Sequence, residues 1–462
     1  MATAIYFTMA LISYGEINII SSLILSIAFF IFWNFIIGQD YHIFSIYNLF
    51  FGLNLLWGTF ARYILLGLGV SNIANDAYVH VADVTESHII TSAYILLSIC
   101  FLALGKLFCK KNIVKSQKEC TSNIKISYYN SLKILRLLQW VAFIIIIVVD
   151  IYKINNIRLA VEFEYGTYDT FVNFLFDLCS FVAYLSLLEF FLVKKLKSLI
   201  LSLLILLPNV ILSILSAWKG PPIFFIFTLL IIYSWCSSIK MRTQLKYCAI
   251  IILVISIIFP VISIYRNDLT LKQSRNNFDI EAIEEFYSKN SLSKYLTDRF
   301  SNYDYDYYVL NLPDATVADY NEVVGLEHER LLSGLIPRVL YPDKKIVSVG
   351  LQITHYIYRV PETIYNNLSL SYIGAIWLSY GALGVAILSM VLGYGFCRLE
   401  SMKEKSFFDF GKYIVYGFCL FNVATAGVAA DLLGFIGAYV IINISLFFCK
   451  KLVKNGDKCK IM

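Results

Sequence analysis

KKLKSLILSLLILLPNVILSILSAWKGPPIFF, residues 194–225, holds the organisation of the whole chain in miniature. A basic cluster at 194–197 is followed by an apolar run over 198–217. That run breaks at Lys219, Gly220, Pro221 and Pro222, and a second apolar run begins at once. A helix of about 20 apolar residues crosses the ~30 Å hydrocarbon core of a bilayer. The stretch therefore reads as one membrane span, a cationic flank on one face, and a tight reversal on the other.

The same unit recurs along the 462 residues. The composition is 59% hydrophobic and only 15% charged, against about 25% charged for a soluble domain, and the mean hydropathy is +0.70. Apolar runs near 17–37, 45–70, 89–108, 135–152, 169–193, 198–217, 221–239, 247–265, 367–396, 410–430 and 432–449 predict about eleven transmembrane helices. Residues 1–14 are apolar but too short to cross, and no signal peptide is expected, because a basic leader and a small-residue cleavage site are both missing.

Basic clusters fix the register of these spans. Lys110, Lys111, Lys115, Lys118, Lys125 and Lys133 precede KKLK at 194–197 and KMRTQLK at 240–246. Arg398, Lys403 and Lys405 follow, and then the lysine-rich tail from Lys450. With the spans above, all five clusters fall on one side, which the positive-inside rule makes the cytoplasm. The net charge of +6 is dispersed among these clusters and does not suggest nucleic acid. The chain divides into spans over 1–265, a large outer segment over 266–366, and further spans with a cytoplasmic tail over 367–462. The outer segment holds 11 Lys/Arg and 15 Asp/Glu and none of the ten cysteines. A disulfide framework there is excluded.

Ionisable groups inside spans are expensive and are functional candidates by default. Lys219 lies beside a proline-led helix start, whose free N–H groups favour anions. A phosphate contact and a snorkelling lysine are both open readings. Arg62, Asp177, Glu189 and Asp431 suit structural ion pairs or snorkelling as well as function, and Arg266 suits an interfacial anchor.

The outer segment is too varied for a tether. Residues 280–300 read as an amphipathic helix, and YYVLNL, ERLLSGLIPRVLY and GLQITHYIYRV carry apolar patterning. Asp304 and Asp306 form an Asp-x-Asp in YDYDYY, a weak metal signal, and no metal is expected. In SGLIPRVLYPDKK, residues 333–345, Pro337 and Pro342 bracket Arg338, with Lys344 and Lys345 close behind. Ile336, Val339 and Leu340 can enter the interface while the cations gather at phosphate depth. The alternative is an anchor for anionic lipid. Glu327, His328, His355, Glu362 and Asp343 are candidate proton acceptors. His80, His88, Asp76, Asp83 and Glu86 cluster over 71–88, with a spacing that matches no common ligand pattern.

A basic residue at a broken helix (AWKG), an arginine closing the next span (SIYRND), DRFSNYD, IPRVLYPDKK and SYIGAIWLSYGALGVAILSMVLGYG occur in this order over residues 200–400. In this the chain resembles the Wzy-type oligosaccharide repeat-unit polymerases of O-antigen, capsule and exopolysaccharide pathways. The resemblance implies an all-α polytopic, GT-C-like architecture in a bacterial cytoplasmic (inner) membrane, with its active site facing the periplasm. It implies a glycosyltransferase without cofactor that joins undecaprenyl-pyrophosphate-linked oligosaccharides, among membrane lipids and a chain-length regulator. Lys219, Arg266, Arg338, Lys344 and Lys345 would clamp the pyrophosphate, and His355, His328 or Glu327 would take the acceptor proton. An O-antigen ligase shares this architecture. A lipid-linked oligosaccharide flippase is a non-enzyme alternative, which should show two similar halves; no internal repeat is visible.

Overall fold

The structure is a computed structural model. It describes residues 2–14, 18–37, 45–69, 84–109, 117–155, 169–215, 220–237, 242–244, 246–247, 250, 302–336, 356, 371–403, 405–424 and 428–459. Among these the chain is helical, with no strand.

The elements run α1 (Ala2–Tyr14), α2 (Ile19–Ile31) and a π-helical continuation Phe32–Ile37, then α3 (Ile46–Phe50), a π-helical stretch Phe51–Ala61, and α4 (Arg62–Gly67). Next come α5 (Val84–Phe108), α6 (Gln117–Asn155), α7 (Asp169–Val193), α8 (Leu196–Leu215) and α9 (Gly220–Ser237). Within the outer segment lie α10 (Asn302–Val309), α11 (Asp314–Val324) and α12 (Glu327–Leu335). The chain then closes with α13 (Tyr372–Met402), α14 (Phe407–Val423) and α15 (Val428–Cys459).

Among the described residues, eight helical stretches are long and apolar enough to cross a membrane: Ile19–Ile36, Ile46–Gly67, Thr85–Phe108, Asn123–Asn155, Phe171–Val193, Leu196–Ile214, Tyr372–Met402 and Leu432–Lys454. Each coincides with an expected span. Of the remaining three, 247–265 lies almost wholly outside the described residues. The run at 221–239 is the shorter apolar helix Pro222–Ser237. Within the run at 410–430 lies α14, whose 17 residues reach about 25 Å at 1.5 Å each. It is packed inside the bundle, with Phe407, Phe410, Tyr413, Ile414 and Tyr416 buried.

The tightest seam joins α5 to α13. A Cβ on Gly105 would lie 2.0 Å from the Met390 carbonyl oxygen, and one on Gly393 would lie 2.2 Å from that of Leu102. Helices that cannot gain from the hydrophobic effect in lipid associate through such small residues, which let backbones touch. Inside the seam, Ser98 Oγ bonds the Tyr372 hydroxyl at 2.6 Å and Ser389 Oγ at 2.9 Å.

Polar contacts also tie the helices together towards the ends of the bundle. At the end bearing the basic clusters, Lys106 Nζ donates to the Ile36 carbonyl at 2.7 Å, and the Tyr413 hydroxyl donates to Glu400 Oε1 at 2.9 Å. Glu189 is fully buried there. It pairs with Arg136 and accepts from Tyr128 at 2.7 Å and Ser198 at 2.6 Å, which pins α6, α7 and α8 together. Glu189 is thus a structural ion pair. The far end is where α10, α11 and α12 sit.

Candidate functional site

YDYDYYV looks like a surface sequence, yet α10 is the most enclosed element of the far end. Tyr303, Asp304, Asp306, Tyr307, Tyr308 and Val309 are all buried. A short polar helix survives such burial only if each charge meets a partner. Arg62, 1% exposed after the π-helical stretch, supplies the first. Its Nε donates to Asp304 Oδ1 at 3.0 Å and its Nη2 to Oδ2 at 2.6 Å. This two-toothed geometry is the strong form of the pair. Its effect is to bolt the outer segment to the second span.

The other faces of α10 are tied as well. Tyr303 bonds His88 Nδ1 at 2.7 Å, beside Tyr63, whose hydroxyl bonds Ser21 at 2.6 Å. Asp306 Oδ1 accepts from Ser371 Oγ at 2.5 Å, and Ser371 is also the N-cap of α13. Asp306 Oδ2 is buried with no hydrogen-bond partner among the described residues. Desolvation pushes this carboxyl up to about 7, against the opposing pull of the Ser371 hydroxyl and the Gly374 backbone. Asp304 and Asp306 therefore spend their carboxylates on different protein partners, and the Asp-x-Asp is not arranged as a shared metal site. Among the described residues no group of three His, Cys, Asp or Glu is placed to hold a metal ion.

Past α10 the chain turns through Leu310–Pro313 and starts α11 at Asp314. Asn311 Nδ2 donates to the Tyr307 carbonyl at 2.6 Å, Thr91 Oγ1 at 3.2 Å and the Ser87 carbonyl at 3.3 Å. Asn321 Nδ2 donates to the Leu378 carbonyl at 2.6 Å. These bonds hold the α10–α11 turn open against α5 and α13, and a cleft of about 500 Å³ lies between them. Glu86, Ser87 and Tyr94 line it from α5, Asn311 and Asp314 from the turn, and Trp377 from α13. The Tyr94 and Trp377 rings meet edge to face, 6.1 Å apart.

Of the residues expected to act, Glu327 and His328 are described, and both dock on α13 just before its kink at Gly381 (φ 58°). The Glu327 N–H donates to Ser379 Oγ at 3.2 Å, and its buried carboxylate pairs with Arg330. His328 is exposed. Its backbone N–H donates to the Tyr380 hydroxyl at 3.0 Å, and its Nδ1 lies 2.7 Å from the same oxygen. A hydroxyl oxygen carries one proton and can accept twice, so the ring bond runs either way: Nδ1–H donating to Tyr380 leaves Nε2 as an acceptor, and Nδ1 accepting from Tyr380 places the ring proton on Nε2. Lys219, Arg266, Arg338, Lys344, Lys345 and His355 lie outside the described residues, as do Glu362 and Asp343.

A family model described as a domain of unknown function (DUF8712) matches residues 124–433. That is two thirds of the chain, and the chain belongs to this family. The match takes in α10 to α12 and the Trp377 side of the cleft, and leaves out Arg62, Glu86, His88 and Tyr94. No curated protein and no solved structure matches the chain.

Proposed function

We propose that this member of the DUF8712 family is a glycan polymerase of the Wzy type. It joins undecaprenyl-pyrophosphate-linked oligosaccharides on the outer face of a bacterial cytoplasmic membrane, with about eleven spans in a GT-C-like arrangement. One observation carries the reading. The outer segment is sewn into the membrane bundle through the buried Arg62–Asp304 pair, with a cleft beside the seam. An enzyme of soluble substrates has no need to hold its outer segment at the bilayer boundary. A lipid-linked substrate presents its diphosphate and first sugars at that depth.

In the proposed reaction a hydroxyl oxygen of the acceptor glycan attacks the anomeric carbon of the donor. The new glycosidic bond forms as the carbon–oxygen bond to the diphosphate breaks, and undecaprenyl pyrophosphate leaves with the bonding pair. Arg338, Lys344, Lys345, Lys219 and Arg266 neutralise that leaving group, so a metal ion is dispensable. His355, His328 or Glu327 accepts the hydroxyl proton. His328 reaches this role through Nε2 when Nδ1–H donates to Tyr380, and Glu327 only on leaving Arg330.

Arg338→Ala in a deletion strain should abolish long chains at unchanged protein level, and Arg338→Lys should restore them only in part, because lysine cannot hold two phosphate oxygens at once. Normal polysaccharide ladders from Arg338→Ala refute the clamp. Polymer formation in vitro from purified lipid-linked repeat units should survive EDTA.

A further inference from the structure

We infer that the cleft between α5, the α10–α11 turn and α13 binds the sugar end of the glycan, and that it selects neutral or amino sugars over acidic ones. The inference rests on the polymerase reading and adds the substrate class of one of its subsites.

The chemistry of the lining makes the choice. Asp314 offers a carboxylate, and Asn311, its Nδ2 fixed by three acceptors, offers Oδ1. Among the described lining residues none is cationic. Acceptors of this kind need a ligand rich in donors, and sugar hydroxyls are donors, whereas a diphosphate or a uronate brings negative charge against the Asp314 carboxylate. The diphosphate is therefore not the group this cleft takes. Trp377 and Tyr94 supply the apolar part of the wall, suited to the carbon face of a pyranose. A cleft of about 500 Å³ falls in the range that takes up small ligands, roughly 300–1,000 Å³. The walls are also rigid. Asn311 ties the turn to α5, Asn321 ties α11 to α13, and Ser371 ties α10 to the start of α13.

The full chain in lipid nanodiscs is probed by saturation-transfer NMR with three free ligands: methyl β-glucoside, methyl N-acetyl-β-glucosaminide and methyl β-glucuronide. The two neutral glycosides should receive saturation and the glucuronide little. Trp377→Ala and Asp314→Asn should each weaken binding by roughly tenfold, the scale of one charged hydrogen bond or one aromatic contact. Trp377→Phe, which keeps a ring in place, should retain most of it and guards against a folding defect. Glucuronide binding as well as the neutral sugars, binding unchanged in Trp377→Ala, or saturation of spermidine but of no glycoside would each overturn the inference. The polymerase reading is read out separately, by extension of lipid-linked repeat units. Glycoside binding that depends on Trp377 without any extension upholds the sugar cleft and removes the polymerase.

Discussion

Breaking the Arg62–Asp304 pair should destabilise the protein far more when one partner is removed than when both are. Both side chains are at most 1% exposed and share two hydrogen bonds, of 3.0 and 2.6 Å. Removing one partner takes the two-toothed contact away from a charge that stays buried, which typically costs about 3–5 kcal/mol. Replacing both by apolar groups removes the desolvation penalty together with the attraction, and is often near neutral. Arg62→Met and Asp304→Leu should therefore each lose about 3–5 kcal/mol, while the double variant loses less than either. Arg62→Lys should fall between, since an ammonium cannot reproduce the two-toothed contact. The measurement is a detergent-exchange unfolding titration of the purified protein, followed by tryptophan fluorescence for wild type, both single variants and the double. Losses that add to within about 0.5 kcal/mol would mean the two charges do not sense one another, and the reasoning about how α10 is held would fail.

Gly393→Ala and Gly105→Ala place a methyl against backbone oxygens 2.2 and 2.0 Å away. Each should cost at least about 1–3 kcal/mol, whereas Gly434→Ala, with nothing within 4 Å, should be neutral or stabilising; melting curves after gel filtration separate the two classes. Asp306 titrates near 7 when folded, against 3.8 as its ordinary value. The neutral form is the one the fold prefers, so its stabilising effect is complete below about 3.8 and is lost as pH rises through about 7. Thermal stability should therefore decline from pH 5 to 8, by up to about 1.4 kcal/mol per pH unit, and the slope should flatten in Asp306→Asn; an equal slope in that variant assigns the effect to another group. A cysteine at the exposed position Ala315 should react with an impermeant reagent from outside the cell, while the native Cys459 stays protected. The reverse pattern would invert the sidedness.

Apolar length made the spans legible, and all eight helices able to cross a membrane lie where long runs of Ile, Leu and Phe stand. α14 was harder to place. Its Asp409 and Lys412 and its modest length suit burial within protein, and apolar content alone does not separate that from exposure to lipid. Arg62 and Glu189 stood out as charges within spans, but their partners, Asp304 and Arg136, come from 242 and 53 residues away, and pairing over such distances leaves no local pattern. The cleft was illegible for the same reason. Trp377 and Tyr94 read as ordinary apolar residues of spans until the α10–α11 turn brings them to one wall with Asp314. The Tyr-Asp alternation of α10 carried a signal in hindsight. A run that cannot be apolar and is too aromatic for solvent calls for a polar interior.

The 242 residues between Arg62 and Asp304 also set a clock on biogenesis. A ribosome adding about 5–20 residues per second leaves the arginine waiting on the order of 12–50 s after its own helix has entered the bilayer. During that interval the cation is without the Asp304 carboxylate. Only when α10 has been made and has packed against the spans made before it can the two meet. The pair is thus a late closing step in assembly, and a chain truncated before Asp304 would lack this two-toothed contact.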